Sequence, residues 1–345
     1  LLGMARLIAR RGPDGQGVWH DDPSGVALGQ CRLAIQDLSE AGAQPMVSAS
    51  GRYVVTYNGE LYGFEDLRAE LAARGVRFRG HSDTEVMLEA FDALGIVETL
   101  KRLQGIFAFA LWDRRERRLH LARDPHGIKP LAVAVHQGYI AFASELGAFD
   151  ALAGFDPPID RAALAAYLRQ GCVPAPATIF VGVEKIAPGV LVTIAPDGTE
   201  TRERFHDLAA VFAGGAADPI RDREEAVRLI DRTLAEVVES QMISDVPLGA
   251  FLSGGIDSSL VVAMMGARLG RRVRTFSIGF EDPAYDESGA ARAVAAHLGT
   301  EHEELILTPD RVAARVVDIL GRADEPFADS SVVPTFLVSE MARRH

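Results

Sequence analysis

In the last third of the chain, compact apolar runs alternate with helical patterns, and this alternation constrains the fold more than any other feature. The runs are 246–252, 273–280 and 304–307, separated by helical patterns at 260–269 and 288–298. Strands joined through helices imply right-handed crossovers and a parallel sheet. We therefore expect an open α/β domain in this part of the chain.

The preceding part of the chain has a different pattern, with short apolar or alternating runs closed by turn residues. The predicted strands are 26–35, 53–57, 106–112, 118–122, 131–135 and 139–143. Helical spacing at 64–74 predicts one helix, and a capping box in which Ser82 and Glu85 satisfy each other's amides predicts the start of another. Many antiparallel strands with few helices are typical of an α+β domain.

A change of composition separates the two patterns. Residues 196–222 mix turn-forming and charged residues without a sustained period, which predicts a linker. A long amphipathic helix is predicted directly after it, because apolar residues recur on one face at helical spacing. Those residues are Val227, Ile230, Leu234, Val237 and Val238.

Charge and cysteine content exclude several classes of protein. The 345 residues include 36 Lys and Arg against 48 Asp and Glu, a formal charge of −12, which argues against nucleic acid or an anionic membrane as the main partner. No apolar run approaches the roughly 20 residues needed to cross a bilayer, and the opening residues have no secretory pattern. Cys31 and Cys172 cannot form a disulfide framework, which favours a reducing compartment. We expect a cytoplasmic protein.

The clearest chemical signal is the turn at 253–259, Ser-Gly-Gly-Ile-Asp-Ser-Ser, which lies between a predicted strand and a predicted helix. Glycines let the backbone approach an anion, and free N–H groups at the helix start point at it. Serine hydroxyls add donors, and Asp257 offers an oxygen ligand for Mg²⁺. An isolated Ser-Gly-Gly is more often a turn that caps a helix, but this placement favours a phosphate-binding loop. No lysine follows the glycines, which excludes the G-x-x-x-x-G-K-[ST] type of loop.

Together with the preceding Ser-Asp-Val-Pro-Leu-Gly at 244–249, this turn resembles the pyrophosphate loop of glutamine-dependent asparagine synthetases. The segments 275–280, 285–288 and 324–331 are also similar to that family. The resemblance implies ATP and Mg²⁺ as cofactors, with Asp257 on the metal and Ile278 against the adenine. The implied ATP-binding residues are Leu252, Ser253, Gly254, Gly255, Asp257, Ser258, Ser259 and Ile278. The acidic residues of the other matching segments are either substrate-binding or solvated caps.

Five segments of the first part resemble the glutaminase domain of the same family. They are 10–15, 32–39, 57–62, 80–85 and 122–130, so the resemblance covers essentially the whole chain. It implies a class II glutamine amidotransferase domain over residues 1–200, with the αββα sandwich of N-terminal-nucleophile hydrolases. Residues 201–222 are then the linker, and residues 223–345 an ATP-pyrophosphatase domain with the adenine nucleotide α-hydrolase-like fold.

The resemblance assigns glutamine-binding residues whose types suit that substrate. Arg32 matches the position that holds the α-carboxylate, and Glu60 and Asp83 match those that hold the α-ammonium group. The Asn58 side chain and the Gly59 amide match the oxyanion donors. The remaining matched residues are Leu33, Ala34, Ile35 and Gln36. Taken singly, Asn58-Gly59 is typical of a hairpin turn, Asp83 of a capping box and Arg32 of a solvated strand charge.

The nucleophile of the family is a cysteine at the mature N-terminus, activated by its own α-amino group. This sequence begins inside the helix that normally precedes Arg-Gly-Pro-Asp, so we expect the strand of the nucleophile to be missing. Cys31 and Cys172 cannot supply a terminal amine and are predicted to be small buried residues. The C-terminal end of the synthetase domain is also expected to be missing, and Gly63 stands where the family usually has Asn.

The resemblance implies a two-domain amidotransferase. Glutamine is hydrolysed in the first domain, a carboxylate is adenylated with Mg·ATP in the second, and ammonia displaces AMP. Aspartate is the default acceptor, which gives asparagine, glutamate, AMP and pyrophosphate. The alternatives are another carboxylate acceptor, in a surface-glycan or secondary-metabolite pathway, and a catalytically inactive nucleotide-binding protein. The expected partners are small molecules, with neither nucleic acid nor membrane, and a homodimer is the assembly to test.

Overall fold

The computed structural model describes residues 1–270 and 272–344. Contacts divide the chain into two units. The first consists of residues 1–219 and 324–326, and the second of residues 220–323 and 327 onward. Each unit has its own buried apolar core.

The first unit is built mainly from antiparallel strands. Its strands are β1 (Gly15–Asp21), β2 (Val26–Arg32), β3 (Met46–Val47), β4 (Tyr53–Tyr62), β5 (Gln104–Asp113), β6 (Arg118–Arg123), β7 (Ala132–His136), β8 (Tyr139–Ala143), β9 (Val183–Lys185), β10 (Val190–Ile194) and β11 (Glu200–Arg204). Its helices are α1 (Leu2–Leu7), α2 (Glu65–Ala73), α3 (Asp83–Leu94), α4 (Ile96–Arg102), α5 (Arg161–Gln170) and α6 (Leu208–Ala217). The sheet orders are β11-β10-β6-β5-β4-β3, β8-β7-β9 and β1-β2.

Alternating side chains divide the first unit into layers. The six-stranded sheet buries one face under α2, α3 and α4, where Phe91 and Phe109 lie with ring centroids 5.2 Å apart. Its other face packs against Val133 of β7 and Ile140 of β8. The next residues of those two strands point the opposite way and pack on α5 through Ala163. The result is a helix–sheet–sheet–helix sandwich, which confirms the predicted αββα fold.

The start of α3 follows the predicted cap only in part. The Ser82 hydroxyl accepts a hydrogen bond from the Glu85 amide at 3.2 Å, as predicted. The Glu85 carboxylate, however, accepts from the amides of Arg79 and Gly80, each at 2.9 Å. It therefore holds the preceding turn instead of completing the reciprocal cap.

The six predicted strands of the first unit are confirmed as β2 and β4–β8, and the two predicted helices as α2 and α3. The structure differs from the predicted linker, since β11 and α6 lie within residues 196–222. The five residues of β11 are all exposed and show no apolar pattern that would predict a strand. Pairing with β10 holds them extended. α6 begins after Asp207, which accepts from two amides of its first turn, but its Ala and Gly residues give no amphipathic period.

The second unit is a parallel α/β fold. Its strands are β12 (Gly249–Phe251), β13 (Arg274–Phe280) and β14 (Glu301–Leu307), paired in parallel in that order. Its helices are α7 (Arg223–Ser240), α8 (Ile256–Leu269), α9 (Ser288–Leu298), α10 (Pro309–Leu320) and α11 (Val332–Arg344). This confirms the predicted open parallel sheet, although β12 is shorter than the predicted strand.

Two apolar clusters hold the second unit together. One joins α7, α8 and α9 around Leu252 and Val262, and the other joins α10 and α11 around Leu307 and Leu337. On the apolar face predicted for α7, Val238 is buried, whereas Val227 is 58% exposed. Over the residues that the structure describes, no helix combines the length and the apolar character needed to cross a bilayer.

Candidate functional site

A cavity of about 730 Å³ in the first unit collects most of the predicted glutamine-binding residues. The predicted residues that line it are Arg32, Leu33, Ile35, Gln36, Asn58, Gly59, Glu60 and Asp83. They come from the end of β2, the loop after it, the middle of β4 and the start of α3. Ala34 is the exception, and its amide donates to the Asp14 carboxylate at 2.9 Å.

Asn58 and Gly59 lie inside β4 rather than in a hairpin turn. They pair with Ala108 and Phe107 of β5 in a continuous antiparallel register. A Cβ atom at Gly59 would lie 2.4 Å from the Ile106 carbonyl oxygen, so glycine is required by the close approach of the neighbouring strand. The turn interpretation of Asn58-Gly59 is therefore wrong, because continuous pairing with β5 keeps this dipeptide extended.

The Asn58 side chain carries an unused donor. Its Nδ2 atom is buried and has no hydrogen-bond partner among the described residues. A buried donor without an acceptor is costly, and such groups are rare in folded proteins. Because Asn58 lines the cavity, this donor suits an oxygen of a ligand that carries negative charge, as an oxyanion does.

Asp83 is buried and its carboxylate is surrounded by donors. Oδ2 accepts from the Leu61 amide at 2.8 Å and from the Tyr57 hydroxyl at 3.1 Å, and Oδ1 accepts from the Thr84 amide at 2.6 Å. Burial raises the pKa of Asp83, while these hydrogen bonds act in the opposite direction. The residue is thus locked in one orientation, with its charge next to Glu60.

Glu60 is the more easily titrated carboxyl group of the pair. Burial, with the charge of Asp83 added to it, raises the pKa of Glu60 to about 7. The Gln36 side-chain amide donates to its Oε2 atom at 2.6 Å, and the Lys129 charge also favours the ionised form. A cation bound between two such carboxylates would stabilise both charges, which is the chemistry that an α-ammonium group offers.

Arg32 holds the loop that follows it. Its Nη1 atom donates to the Ser39 carbonyl at 3.2 Å, and Nη2 donates to the carbonyls of Gln36 and Asp37. A Cβ atom at Gly42 would lie 2.1 Å from Nη2, so that glycine makes room for the guanidinium. An arginine has five N–H donors, so holding these three carbonyls leaves capacity for the predicted carboxylate.

The two cysteines do not resemble activated nucleophiles. Both are half-buried rather than buried as predicted. The Cys31 thiol lines the cavity and donates to the Ala5 carbonyl at 3.2 Å. Burial raises the pKa of Cys31, which is the wrong direction for a thiolate at neutral pH.

The loop after β6 contains charged residues whose roles the sequence pattern did not indicate. Asp124 is fully buried and accepts hydrogen bonds from the amides of His126, Ile128 and Lys129. The Asp-Pro-His-Gly sequence is a turn signal, and an aspartate that binds amides two residues or more ahead is typical of such turns. The burial of the carboxylate and the placement of Lys129 in the cavity wall follow only from the packing.

In the second unit the predicted phosphate loop leaves the carboxyl end of β12 and enters α8 after Gly255. The hydroxyl oxygens of Ser253 and Ser258 lie 3.0 Å apart, and the Ser259 hydroxyl donates to the Gly255 carbonyl at 2.6 Å. Gly254 has a φ of 80° and lies against α9, where a Cβ atom would be 2.6 Å from backbone atoms of Ala290 and Ala291. The loop is thus a turn that only glycine fits, placed at a helix N-terminus.

The remaining predicted ATP-binding residues lie near the same edge of the sheet. Leu252 is buried in the core, and Asp257 is exposed in the first turn of α8. Ile278 lies on β13, adjacent to β12, and packs beside α10 and α11. Among the described residues no group of three or more His, Cys, Asp or Glu could hold a metal by itself. Asp257 fits Mg²⁺ in the manner common for nucleotide sites, where one or two carboxylates act with water and phosphate oxygens.

The acidic residues of the other matching segments bind main-chain amides. Asp286 accepts from the amides of Phe280 and Ser288, each at 3.1 Å. Asp324, which belongs to the first unit, accepts from the Leu146 amide at 2.7 Å, and Glu325 accepts from the Ile179 amide at 2.8 Å. These contacts favour the capping interpretation of the three carboxylates over substrate binding.

Comparison with known proteins identifies the family of each part of the chain. Residues 1–206 match the glutamine amidotransferase domain family, and residues 229–345 match the asparagine synthase family. The chain is 31% identical to a putative asparagine synthetase [glutamine-hydrolyzing] 2 from Methanocaldococcus jannaschii, over 99% of this chain and 68% of that protein. The chain belongs to the glutamine-hydrolysing asparagine synthetase family.

The chain is also 35% identical to asparagine synthetase [glutamine-hydrolyzing] 1 from Bacillus subtilis, over 99% of this chain and 52% of that protein. It therefore spans about half the length of several curated relatives that it matches. Among solved structures, a glutamine phosphoribosylpyrophosphate amidotransferase from B. subtilis has a TM-score of 0.43 and 19% identity, covering 87% of this chain and 61% of that chain. The asparagine synthetase family uses ATP.

Proposed function

We propose that the chain forms the glutaminase unit and the adenylating unit of an asparagine synthetase that takes nitrogen from glutamine. The cavity of the first unit carries this proposal. It brings together one guanidinium group, two carboxylates and an unpartnered buried amide donor, contributed by Arg32, Glu60, Asp83 and Asn58. These groups complement the α-carboxylate, the α-ammonium group and the oxyanion that glutamine presents during hydrolysis.

The family resemblance assigns the nucleophile to an N-terminal cysteine, and a strand that carries it would fit this cavity. Among the described residues, β2 pairs with β1 and β8 pairs with β7, so each strand has a free edge. Residues of both strands line the cavity, including Cys31 of β2 and Ala141 of β8. An inserted strand would satisfy the backbone groups of both edges and bring its thiol close to Asn58.

Hydrolysis of glutamine then proceeds by acyl transfer. The thiolate attacks the side-chain carbonyl carbon, and the Asn58 side chain and the Gly59 amide donate hydrogen bonds to the oxyanion that forms. Ammonia leaves with the proton that the thiol released when it became the thiolate, and water then releases glutamate from the thioester and restores the thiol. Glu60 and Asp83 bind the α-ammonium group throughout, so the substrate does not shift between the two steps.

In the second unit, the phosphate loop binds the β- and γ-phosphates of ATP. First-turn amides of α8 and the hydroxyls of Ser253, Ser258 and Ser259 act as donors, and Ile278 packs against the adenine. Asp257 would hold Mg²⁺, which would supply positive charge to offset that of the leaving pyrophosphate. An oxygen of the aspartate side chain attacks the α-phosphorus and pyrophosphate leaves. Ammonia then attacks the activated carbonyl carbon, AMP leaves, and the new C–N bond is that of asparagine.

The direct test supplies the full-length protein with glutamine, aspartate and Mg·ATP and measures all products. We expect asparagine, glutamate, AMP and pyrophosphate in equal amounts. AMP without a new amide would exclude aspartate as the acceptor, and the absence of AMP would refute the role of the phosphate loop. Ammonia in place of glutamine separates the two units, because the second unit needs only the ammonia.

Location and assembly are part of the same proposal. Cys31 and Cys172 are both free thiols, which suits a reducing cytoplasm. The expected partners are the small-molecule substrates, and we propose a homodimer. Sedimentation velocity at several protein concentrations distinguishes that dimer from a monomer.

A further inference from the structure

The loop that follows β6 fixes the backbone of one lysine with unusual completeness. Its carboxylate anchor, Asp124, is fully buried and accepts from the Lys129 amide at 2.9 Å. The same carboxylate accepts from the amides of His126 at 2.9 Å and Ile128 at 3.1 Å. Each of these bonds involves a charged acceptor, so the turn is held more strongly than by neutral hydrogen bonds.

A guanidinium group fixes the carbonyl side of the same residue, Lys129. Arg123 Nε donates to the Lys129 carbonyl at 2.7 Å, and its Nη2 atom donates to the Gly127 carbonyl at 2.6 Å. Its Nη1 atom donates to the Ile186 carbonyl at 3.0 Å, which ties the loop to the body of the unit. Both the amide and the carbonyl of Lys129 are thus held by charged side chains.

The lysine side chain that this loop presents lies in the wall of the glutamine cavity. Lys129 and Glu60 both line the cavity, and Lys129 is half-buried there. Over the part of the chain that the structure describes, no direct ion pair joins them, so the attraction acts across the cavity. Burial lowers the pKa of Lys129, and the charge of Glu60 opposes that effect.

The charges of the proposed complex balance only when this lysine is counted. Arg32 matches the α-carboxylate of glutamine, while Glu60 and Asp83 face a single α-ammonium group. One carboxylate would therefore stay uncompensated in a largely buried site, where unpaired charge is costly. Arg11 also lines the cavity but is paired with Glu145, so Lys129 is the cation of the wall that acts on Glu60.

We propose that Lys129 is a positioning residue of the glutamine pocket, whose ammonium group, held by the 123–130 loop, supplies the counter-charge that keeps Glu60 a carboxylate. The role of Lys129 in glutamine binding rests on the proposed function. The charge interaction between Lys129 and Glu60 does not depend on it. With Glu60 ionised, the pocket accepts the α-ammonium group at neutral pH. With Glu60 protonated, it would offer one carboxylate fewer and bind glutamine less well.

Other titratable groups near Glu60 and Lys129 also affect the protonation of this pair. Around Glu60, the charge of Asp83 on α3 favours the protonated form, and Tyr57 and Tyr62 of β4 have pKa values raised by burial, so both stay neutral. Around Lys129, Arg11 opposes the ammonium charge and Asp124 supports it. Arg11 is itself paired with Glu145 at 3.0 Å, which reduces its effect.

The first experiment measures the Glu60 carboxyl directly in the full chain. Glutamate labelled with ¹³C at the δ-carbon gives a carboxyl resonance that Glu60→Gln identifies, and its titration midpoint is followed from pH 4 to 9. In Lys129→Met we expect the midpoint to rise by ~0.5–1 pH unit, the size of one charge interaction across a partly buried site. Lys129→Arg keeps the cation and should restore most of the midpoint.

Lys101→Met is the matched control, because Lys101 is exposed on α4 of the same unit. An unchanged midpoint in Lys129→Met, or an equal rise in Lys101→Met, would overturn the proposal. Circular dichroism confirms that each variant is folded. If Lys129→Met does not fold, the Lys129→Gln variant and the Arg variant decide the same question.

The second experiment asks whether the coupling serves glutamine. The acid limb of kcat/KM for glutamine, measured with the full-length protein, should move to higher pH in Lys129→Met by the same amount as the Glu60 midpoint. A midpoint that moves while the acid limb does not would refute the role in the pocket. If the wild-type protein does not use glutamine at all, the proposed function fails, while the carboxyl titration still judges the charge coupling.

Discussion

Replacing Gly254 with alanine adds one methyl group at a crowded point of the proposed phosphate loop. The φ angle of Gly254 is 80°, a conformation that costs a residue with a Cβ atom about 1–2 kcal/mol. The new Cβ atom would lie 2.6 Å from the carbonyl carbon of Ala290 and the amide nitrogen of Ala291, and 2.8 Å from the Ala290 Cβ atom. The first two atoms belong to the backbone of α9 and the third is a methyl carbon with no other rotamer, so none of them can move aside unless the helix shifts. Overpacking of this kind costs roughly 1–3 kcal/mol.

We therefore expect Gly254→Ala to destabilise the second unit by roughly 2–5 kcal/mol, or to push the loop away from α9. Either outcome removes the geometry that presents the α8 amides to a phosphate. Gly255→Ala is the matched control in the same loop. Gly255 has no positive φ, and its nearest neighbour would be the Ser253 hydroxyl at 3.4 Å, an ordinary contact. Loss of glycine as the N-cap of α8 should cost about 1 kcal/mol at most.

Hydrogen–deuterium exchange of the α8 and α9 amides is the suitable assay, because Trp19 and Trp112 both lie in the first unit and their fluorescence does not report on the second. Calorimetric binding of Mg·ATP measures the functional consequence. We expect Gly254→Ala to show faster amide exchange and to lose Mg·ATP binding. In Gly255→Ala, the exchange rate and the binding should both stay near wild type. Equal behaviour of the two variants would refute the packing argument.

Three further predictions concern the first unit. Asn58→Ala should lower glutamine-dependent synthesis ~10²–10³-fold and spare ammonia-dependent synthesis; an equal loss with both nitrogen sources would indicate misfolding instead. Burial lowers the pKa of His120 to about 4, so the unfolded chain binds its proton first and stability present above pH 6.5 is lost as pH falls towards 4. That loss should reach about 3 kcal/mol, and urea unfolding of His120→Gln, followed by tryptophan fluorescence, should show a flatter acid limb than wild type. Asp124→Ala should destabilise the unit by at least about 2 kcal/mol through its unpaired loop amides; urea unfolding should show Asp124→Asn, which keeps an acceptor, closer to wild type.

Local chemistry was enough to identify many elements from the sequence. The β4, β5 and β8 runs carry apolar or aromatic residues between turn signals, and the Ser82 hydroxyl marks the start of α3. β11 could not be found this way, because its five residues are exposed and charged or polar, and only the partner strand β10 holds it. The helix α6 was not predicted for a related reason, because its small residues give no polar face opposite an apolar one.

For the candidate site as well, some features are visible in the sequence and others depend on packing. The Ser-Gly-Gly turn at 253–259 and the residue types suited to glutamine are visible in the sequence, because a loop between a strand and a helix is a local arrangement. That Arg32, Asn58, Glu60 and Asp83 meet in one cavity depends on the register of β4 against β5 and on where α3 packs.

The electrostatics and the steric limits belong to the tertiary structure alone. The raised pKa of Glu60, the orphaned amide of Asn58 and the placement of Lys129 all arise from burial by residues distant in the chain. The requirement for glycine at 254 likewise comes from the backbone of α9. Sequence determines propensities, caps and turns because these act over a few residues, whereas desolvation and close contact exist only after distant segments have packed together.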